Sequence, residues 1–456
     1  MHDDLKLFTE LAEKLIALET NHPVANPIDS QALYTTLDLT LNETPILDDE
    51  LKHSLIKIIE HTPKTASKFF FNQLFGGRQG KATLGDLLSV MLNNSMYTYK
   101  VAGPQVGIEK TILKTICKMI GYSSASDGTF APGGSMSNYM AMLMARDKYD
   151  PESNRKGITK PLIAYTSETS HYSISKNASF IGLGREHVRY IKANSKGEMD
   201  TEALEQQIKT DLDKGLLPFF VNATAGTTVM GAFDNVESIS KITKQYDLWL
   251  HLDGAYCGSV IFSNKYKHLV KGIEHTDSFS LNAHKMLGTP LSCSILVVQD
   301  KSHLYRSFSN DADYLYQTDE DDFNPGKTSL QCGRRNDALK FWTLWKSIGT
   351  QGLEALVDKQ FQLAAQARAY IKQHPDYTLY SFEHSISVCF NYKDIAAETL
   401  CTELYKHSKL MVGYGSFGGH TFVRMVTINS VLDSQDIINF FETIETFYKN
   451  RHTKNT

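Results

Sequence analysis

Four short segments of this 456-residue chain carry residue types that chemistry uses. The first, Phe130-Ala-Pro-Gly-Gly-Ser-Met-Ser-Asn138, is a glycine-rich turn that runs into a helical pattern from Tyr139 to Tyr149. The start of a helix offers unpaired N–H groups and the positive end of a dipole, which suits a phosphate. Ser135 and Ser137 add hydroxyl donors there. The second, Leu250-His-Leu-Asp-Gly-Ala-Tyr256, closes an apolar run with Asp253 and follows it with two small residues, so something flat is able to approach the backbone. The third, Ser280-Leu-Asn-Ala-His-Lys-Met286, sets Lys285 just past another apolar run. Lysine is seldom buried without a partner or a task. A partly desolvated lysine sheds its proton more easily and is able to form a Schiff base. The fourth, Ser167-Glu-Thr-Ser-His-Tyr-Ser173, offers His171 as an imidazole face for stacking or as a source of a proton.

Taken singly, each segment has a plain structural alternative: a helix N-cap, an Asp capping the next helix, a solvated lysine, a packed histidine. Taken together they share one ligand, pyridoxal phosphate. The lysine takes the aldehyde, the Asp keeps the pyridine nitrogen protonated, and the ring becomes an electron sink.

The elements that must hold these residues show in the hydrophobic pattern. Pro161–Tyr165, Pro218–Val221, Leu248–Leu252 and Ser294–Val298 are short apolar runs that end in small or polar residues and alternate with helical patterns. That alternation predicts an α/β fold with a large, mostly parallel sheet flanked by helices, and in such sheets ligands bind beyond the carboxyl ends of the strands. A helical stripe of Leu5, Phe8, Leu11, Leu15 and Leu18 marks the N-terminus, read as packing or a dimer arm. A helix over Leu353–Ile371, strands near Ser385–Tyr392 and Phe422–Ile428 and a helix over Ser434–Tyr448 predict a small α+β C-terminal domain. The expected division is 1–60, 61–345 and 346–456.

Other classes fall away. Hydrophobic residues are 41% and charged residues 21%, enough for a core, and a net charge of −4 gives no basic surplus for nucleic acid. The six cysteines form no CxxC pair, there is no HExxH, and the 16 histidines show no metal-ligand spacing, so no metal is expected. The N-terminus lacks the apolar run of a secretory signal, and Leu216–Asp234, the longest uncharged stretch, is broken by Pro218, Asn222 and Gly226. A cytoplasmic protein with free thiols and no membrane contact is the expectation. Gly182-Leu-Gly184 lacks the third glycine of a dinucleotide loop because position 187 is His, and Gly326-Lys327-Thr328 lacks the first glycine of a phosphate loop because position 321 is Asp.

From about Phe70 to Phe447 the sequence resembles the group II pyridoxal-phosphate amino-acid decarboxylases, of fold type I, which act on glutamate, aspartate, cysteine sulfinate and aromatic amino acids. The resemblance is densest in FFFNQLFGG (69–77), DGTFAPGGSMSN (127–138), TSETSHYSI (166–174), NATAGTTVMGAFD (222–234), LWLHLDGAY (248–256), NAHKMLGTPLSCS (282–294), LQCGRR (330–335) and FVRMV (422–426). It implies that Lys285 is the Schiff-base lysine, Asp253 the partner of the pyridine nitrogen, His171 the stacking residue and Ala255 the small residue on the opposite face. It implies phosphate contacts from Ser135, Met136 (by its backbone), Ser137 and Asn282, with Thr224 near the ring hydroxyl and His284 among the cofactor residues. Arg424 resembles the arginine that pairs with the substrate α-carboxylate, with Gln73 assisting; a guanidinium fits a planar carboxylate at two points. The resemblance also implies a homodimer with active sites at the subunit interface.

Phe75, Ser95 and Tyr97 are similar to the residues at matching places in aspartate and cysteine-sulfinate enzymes, whereas glutamate enzymes tend to carry Ser, Asn and Phe. The implied reaction is α-decarboxylation of aspartate or cysteine sulfinate, to β-alanine or hypotaurine, ahead of glutamate; 2,4-diaminobutyrate and aromatic amino acids are the alternatives. Three positions depart from the family pattern. Ala283 replaces a usual Pro, which predicts a looser turn, and Gly254 replaces a common Ala, which predicts a little extra room. The loop between Tyr316 and Gln331 contains no Tyr, where the family carries one that delivers a proton to Cα; Asp322 or Phe323 stands near that place. That change implies either another proton donor, His171 first, or decarboxylation with oxidative deamination to an aldehyde.

Overall fold

In the computed structural model, which describes residues 1–309 and 321–453, the apolar runs become a seven-stranded sheet. Its strands are β1 (Asp127–Ala131), β2 (Leu162–Ser167), β3 (Val188–Ile191), β4 (Leu217–Thr224), β5 (Trp249–Gly254), β6 (Ser278–Asn282) and β7 (Ser294–Val298). The order is β1-β7-β6-β5-β4-β2-β3; β7 runs antiparallel to both of its neighbours and every other pairing is parallel. The central strands read as continuous apolar runs because both faces are covered: Phe219, Phe220, Val221, Trp249, Leu250 and Leu252 are fully buried. Polar caps start the crossover helices. Asp200 accepts the Glu202 and Ala203 N–H groups at the head of Thr201–Asp213, and Asn235 accepts the Ser238 N–H at the head of Val236–Gln245.

The chain forms two units that cut it differently from the three expected segments: Arg78–Gln362 with Phe382–Ser385, and Met1–Gly77 with Leu363–Ser381 and Ile386–Thr456. Residues up to Gly77 belong with the C-terminal part because Phe71 is sewn into its sheet. The Phe71 N–H donates to Met411 O at 2.8 Å, its carbonyl accepts the Val426 N–H at 3.0 Å, and its ring meets Phe440 edge-on at 4.7 Å. Residues 346–362 stay with the large sheet: Phe361 stacks on Tyr266 at 3.9 Å, and the Asn264 N–H donates to Glu354 at 2.8 Å.

The smaller unit holds an antiparallel sheet of β8 (Tyr377–Leu379), β9 (Ser387–Tyr392), β10 (Gly413–Phe417) and β11 (His420–Val426) in the order β10-β11-β9-β8. The periodicity shows β9, β11 and the closing helix Ser434–Thr453, but not the short edge strands β8 and β10 or the helix Ala397–Lys406. β8 is only three residues long and three of the five residues of β10 are glycine or serine, so neither carries an apolar run.

Candidate active site

The strand ends converge as expected. A cavity of about 200 Å³ in the large unit is lined by Ser135, His171, Thr224, Asp253, Ala255, Asn282, His284 and Lys285, together with Gly134, Asn138, Gly226, Thr228 and Tyr256. Asp253 is the penultimate residue of β5, Asn282 ends β6 and Thr224 ends β4, so three neighbouring parallel strands deliver residues at their carboxyl ends to one place. Gly134 opens the helix Gly134–Tyr149 directly after β1. A Cβ on Gly134 would stand 2.8 Å from Asn282 Nδ2 and 3.2 Å from Ala255, so glycine keeps this cradle open. Asn282 Oδ1 is buried with no hydrogen-bond partner among the described residues. The open helix start and the Ser135 hydroxyl offer donors to an anion, and the orphaned Asn282 Oδ1 is an acceptor left open to a donor.

Two of the expected phosphate ligands stand apart from it. Met136 and Ser137 do not line the cavity, and their N–H groups both donate to Gly133 O, at 2.9 and 3.0 Å.

The charged groups face one another across the cavity. Burial pushes the Lys285 ammonium below the ordinary lysine range, opposed by Asp253. An amine that gives up its proton readily is what covalent capture of an aldehyde requires. Asp253 accepts from Asn138 Nδ2 at 2.8 Å and from the Ala255 N–H at 3.0 Å. Burial likewise lowers His171, whose Nδ1 accepts the Ser173 N–H at 3.2 Å, so its proton sits on Nε2. His284 is held in the same way, Nδ1 accepting the Cys293 N–H at 2.9 Å, and burial brings it down to about 4.

Two of the departures read differently in the structure. Gly254 does not add room: a Cβ there would fall 2.5 Å from the Phe279 ring and 2.6 Å from Ser280 O, so β5 and β6 pack too closely for alanine in this backbone. Nor is the turn at Ala283 loose. Its N–H donates to Cys293 O at 2.9 Å, a bond that proline lacks the hydrogen to make.

The remaining expected residues divide between the units. In the large unit, Ser95 Oγ donates to Cys332 O at 3.3 Å, which engages its hydroxyl in holding a loop. Tyr97 O accepts the Gly326 N–H at 2.8 Å, and the Tyr97 ring lies so close to Gly326 that a Cβ there would come within 2.5 Å. In the smaller unit, Arg424 projects from β11 and its Nη2 donates to Asn72 O at 2.9 Å, in the segment that carries exposed Gln73 and half-buried Phe75. Of the Tyr-less loop, residues 317–320 and its neighbour Tyr316 lie outside the described residues. Asp322 is anchored by Lys301 at 2.8 Å and by the Tyr305 hydroxyl at 2.8 Å. The Lys301 bond holds its carboxyl below the usual carboxylate range, which leaves it ionised and without a proton to give. Phe323 meets Tyr99 edge-on at 5.7 Å.

Sequence reasoning passed over Asn138, Gly134 and Tyr256 as site residues. Asn138 closes the SMSN motif, and its spacing of four from Gly134 was the available signal, since residues four apart share a helix face.

The residues present therefore fit pyridoxal phosphate: an open cradle, a carboxylate, an imidazole face and a deprotonatable lysine in one cavity. Among the described residues there is no cluster suited to a metal ion, and no helix is long and apolar enough to cross a membrane. Residues 31–393 match the Pyridoxal-dependent decarboxylase conserved domain. The chain is 37% identical over 433 residues to the cysteine sulfinic acid decarboxylase of Homo sapiens, covering 90% of this chain and 88% of that one. It is 34% identical over 455 residues to the acidic amino acid decarboxylase GADL1 of Mus musculus, covering 94% and 82%. The crystal structure of mouse CSAD in apo form is similar with a TM-score of 0.93 at 34% identity, over 96% of this chain and 97% of that one. With Lys285, Asp253 and the phosphate cradle gathered at the strand ends, the chain belongs to the pyridoxal-dependent decarboxylases and is a pyridoxal-phosphate-dependent amino-acid decarboxylase.

Proposed function

We propose that this enzyme removes the α-carboxylate of a short acidic amino acid, aspartate or cysteine sulfinate ahead of glutamate, giving β-alanine or hypotaurine. The carrying observation is the bond from Arg424 to Asn72 O, which sets a guanidinium beside the segment bearing Gln73 and Phe75. In this reading Arg424 grips the α-carboxylate, Gln73 assists, and the bulk of Phe75 shortens the pocket, with Tyr97 on the substrate side. The names of the relatives support an acidic substrate. Bound pyridoxal phosphate supplies the ring that accepts the electron pair left when carbon dioxide departs. Lys285 would hold the cofactor, Asp253 would serve its pyridine nitrogen, and His171 and Ala255 would pack against its ring. Ser135, Asn282 and His284 would take the phosphate side, and Thr224 the ring hydroxyl. A panel of aspartate, cysteine sulfinate, glutamate, 2,4-diaminobutyrate and aromatic amino acids, scored for carbon dioxide, tests this. Higher kcat/KM for glutamate, a basic or an aromatic substrate overturns it.

The anchoring of Asp322 supports a second reading. With no Tyr in the loop and Asp322 ionised, Cα protonation falls to His171, and slow protonation gives molecular oxygen its chance. The products are then aldehyde, ammonia and hydrogen peroxide instead of amine. Stoichiometric peroxide selects this outcome, and amine without peroxide removes it. The enzyme is further proposed to be a cytoplasmic homodimer. The helix Gly80–Leu92 exposes Leu84, Leu88, Val90, Met91 and Leu92, a patch that a second copy would cover. Sedimentation as a monomer at micromolar concentration would remove that part.

A further inference from the structure

Asn138 lies in the first turns of Gly134–Tyr149 and is 1% exposed. Its amide meets partners on three sides. Nδ2 faces Asp253 Oδ2 at 2.8 Å and Ser173 Oγ at 3.1 Å, and Oδ1 faces His251 Nε2 at 3.0 Å. The direction of each bond follows from the carboxylate, which only accepts when ionised. The NH₂ group must then face Asp253, and the carbonyl oxygen must face a ring nitrogen that carries a proton. His251 is fully buried, and that burial brings its imidazole down to about 4, so near neutral pH it is uncharged with its single proton on Nε2. Its bare Nδ1 accepts from Ser278 Oγ at 2.8 Å, and Ser278 Oγ accepts from Trp249 Nε1 at 2.9 Å. One buried chain of hydrogen bonds with a single polarity thus runs from Trp249 through Ser278, His251 and Asn138 to Asp253. A flipped amide would set oxygen against carboxylate and NH₂ against the His251 N–H, replacing two bonds with two repulsions.

We propose that Asn138, oriented by His251, is the positioning residue that aims the Asp253 carboxylate at the pyridine nitrogen of the cofactor. The inference rests on assigning Asp253 to that nitrogen. Among the described residues, the donors on Asp253 are neutral: this amide and the Ala255 N–H. A neutral donor orients a carboxylate without cancelling its charge, which stays available to a protonated ring.

A double-mutant cycle on pyridoxal phosphate affinity, read by fluorescence titration of the apoprotein, tests the proposal. Asp253→Asn and Asn138→Leu should each weaken binding about tenfold, the worth of one charge-assisted hydrogen bond. The double variant should bind within about twofold of Asp253→Asn, because the amide then has no carboxylate to aim. Effects that multiply, to about a hundredfold, give Asn138 a role independent of Asp253 and overturn the proposal. Wild-type affinity in Asp253→Asn overturns the assignment of Asp253 to the nitrogen instead. Because Asn138→Leu risks misfolding, nitrogen-15 spectroscopy of histidine in the unaltered apoprotein gives a second reading, with His251 assigned by the signal lost in His251→Gln. A neutral ring protonated on Nε2 near neutral pH is expected; an imidazolium or an Nδ1 proton overturns the relay.

Discussion

Lys285 and Lys340 belong to the same unit, and their surroundings give them opposite chemistry. Lys340, on the helical span Asp337–Gln373, is 1% exposed and surrounded by oxygens: Ser292 O, Asp86 Oδ1 and Asp337 Oδ1, each at 3.0 Å. Burial alone would lower it, but Asp337, Cys293 and Asp86 outweigh that cost, and its ammonium is held above the ordinary lysine range. Lys285, part-buried at its cavity, is desolvated with only Asp253 and Cys257 in opposition, and it falls below that range. Buried lysine is therefore not one category. Oxygen partners at hydrogen-bond distance make it a permanent cation that ties strands and helices together, and their absence makes it an amine ready to react.

The sharpest way to break this comparison is to remove each lysine. Lys285→Ala should cut carbon dioxide release by at least about a thousandfold, with little change in urea stability of the apoprotein, since no built ion pair is lost. Lys340→Met should do the reverse. It takes the ammonium away from Asp86 and Asp337 and should cost about 3–5 kcal/mol in urea unfolding, with turnover per folded molecule largely kept. If Lys340→Met abolished turnover in protein that remained folded, the division into structural and reactive lysines would fail.

Two smaller effects sharpen it. The buried histidines His251 and His284 sit near 4 when folded, against about 6.5 in the unfolded chain. The unfolded state therefore binds more protons between those values, so their stabilising contribution is present above about 6.5 and is lost as pH falls toward 4. The apoprotein should lose up to about 3 kcal/mol per histidine over that window, measured by urea midpoints at stepped pH; a flat profile would mean that the folded rings already carry protons. Last, borohydride reduction of protein mixed with pyridoxal phosphate near neutral pH should label Lys285 and leave Lys340 unlabelled in a peptide map. Label at Lys340 would show that its ammonium is not held.

The site was legible where it is local. Asp253, Lys285, His171 and the turn before Ser135 each sit at the end of an apolar run, and a parallel sheet brings such ends to one edge. The reading went astray where a neighbour far along the chain decides. Gly254 looked like extra room until Phe279 came within reach.

By itself, then, the sequence determined the large sheet, the lysine and its carboxylate partner, and the family, because alternation of apolar runs and strand-end motifs are properties of short stretches. Tertiary structure alone decided which of two desolvated lysines is held as a cation, that the first 77 residues complete the C-terminal unit, and that Asn138 serves Asp253. The physical reason is common to all three. Each depends on a hydrogen bond or desolvation set by residues far apart in sequence, Asn138 and Asp253 being 115 positions apart, and such pairings leave no periodic trace in the chain.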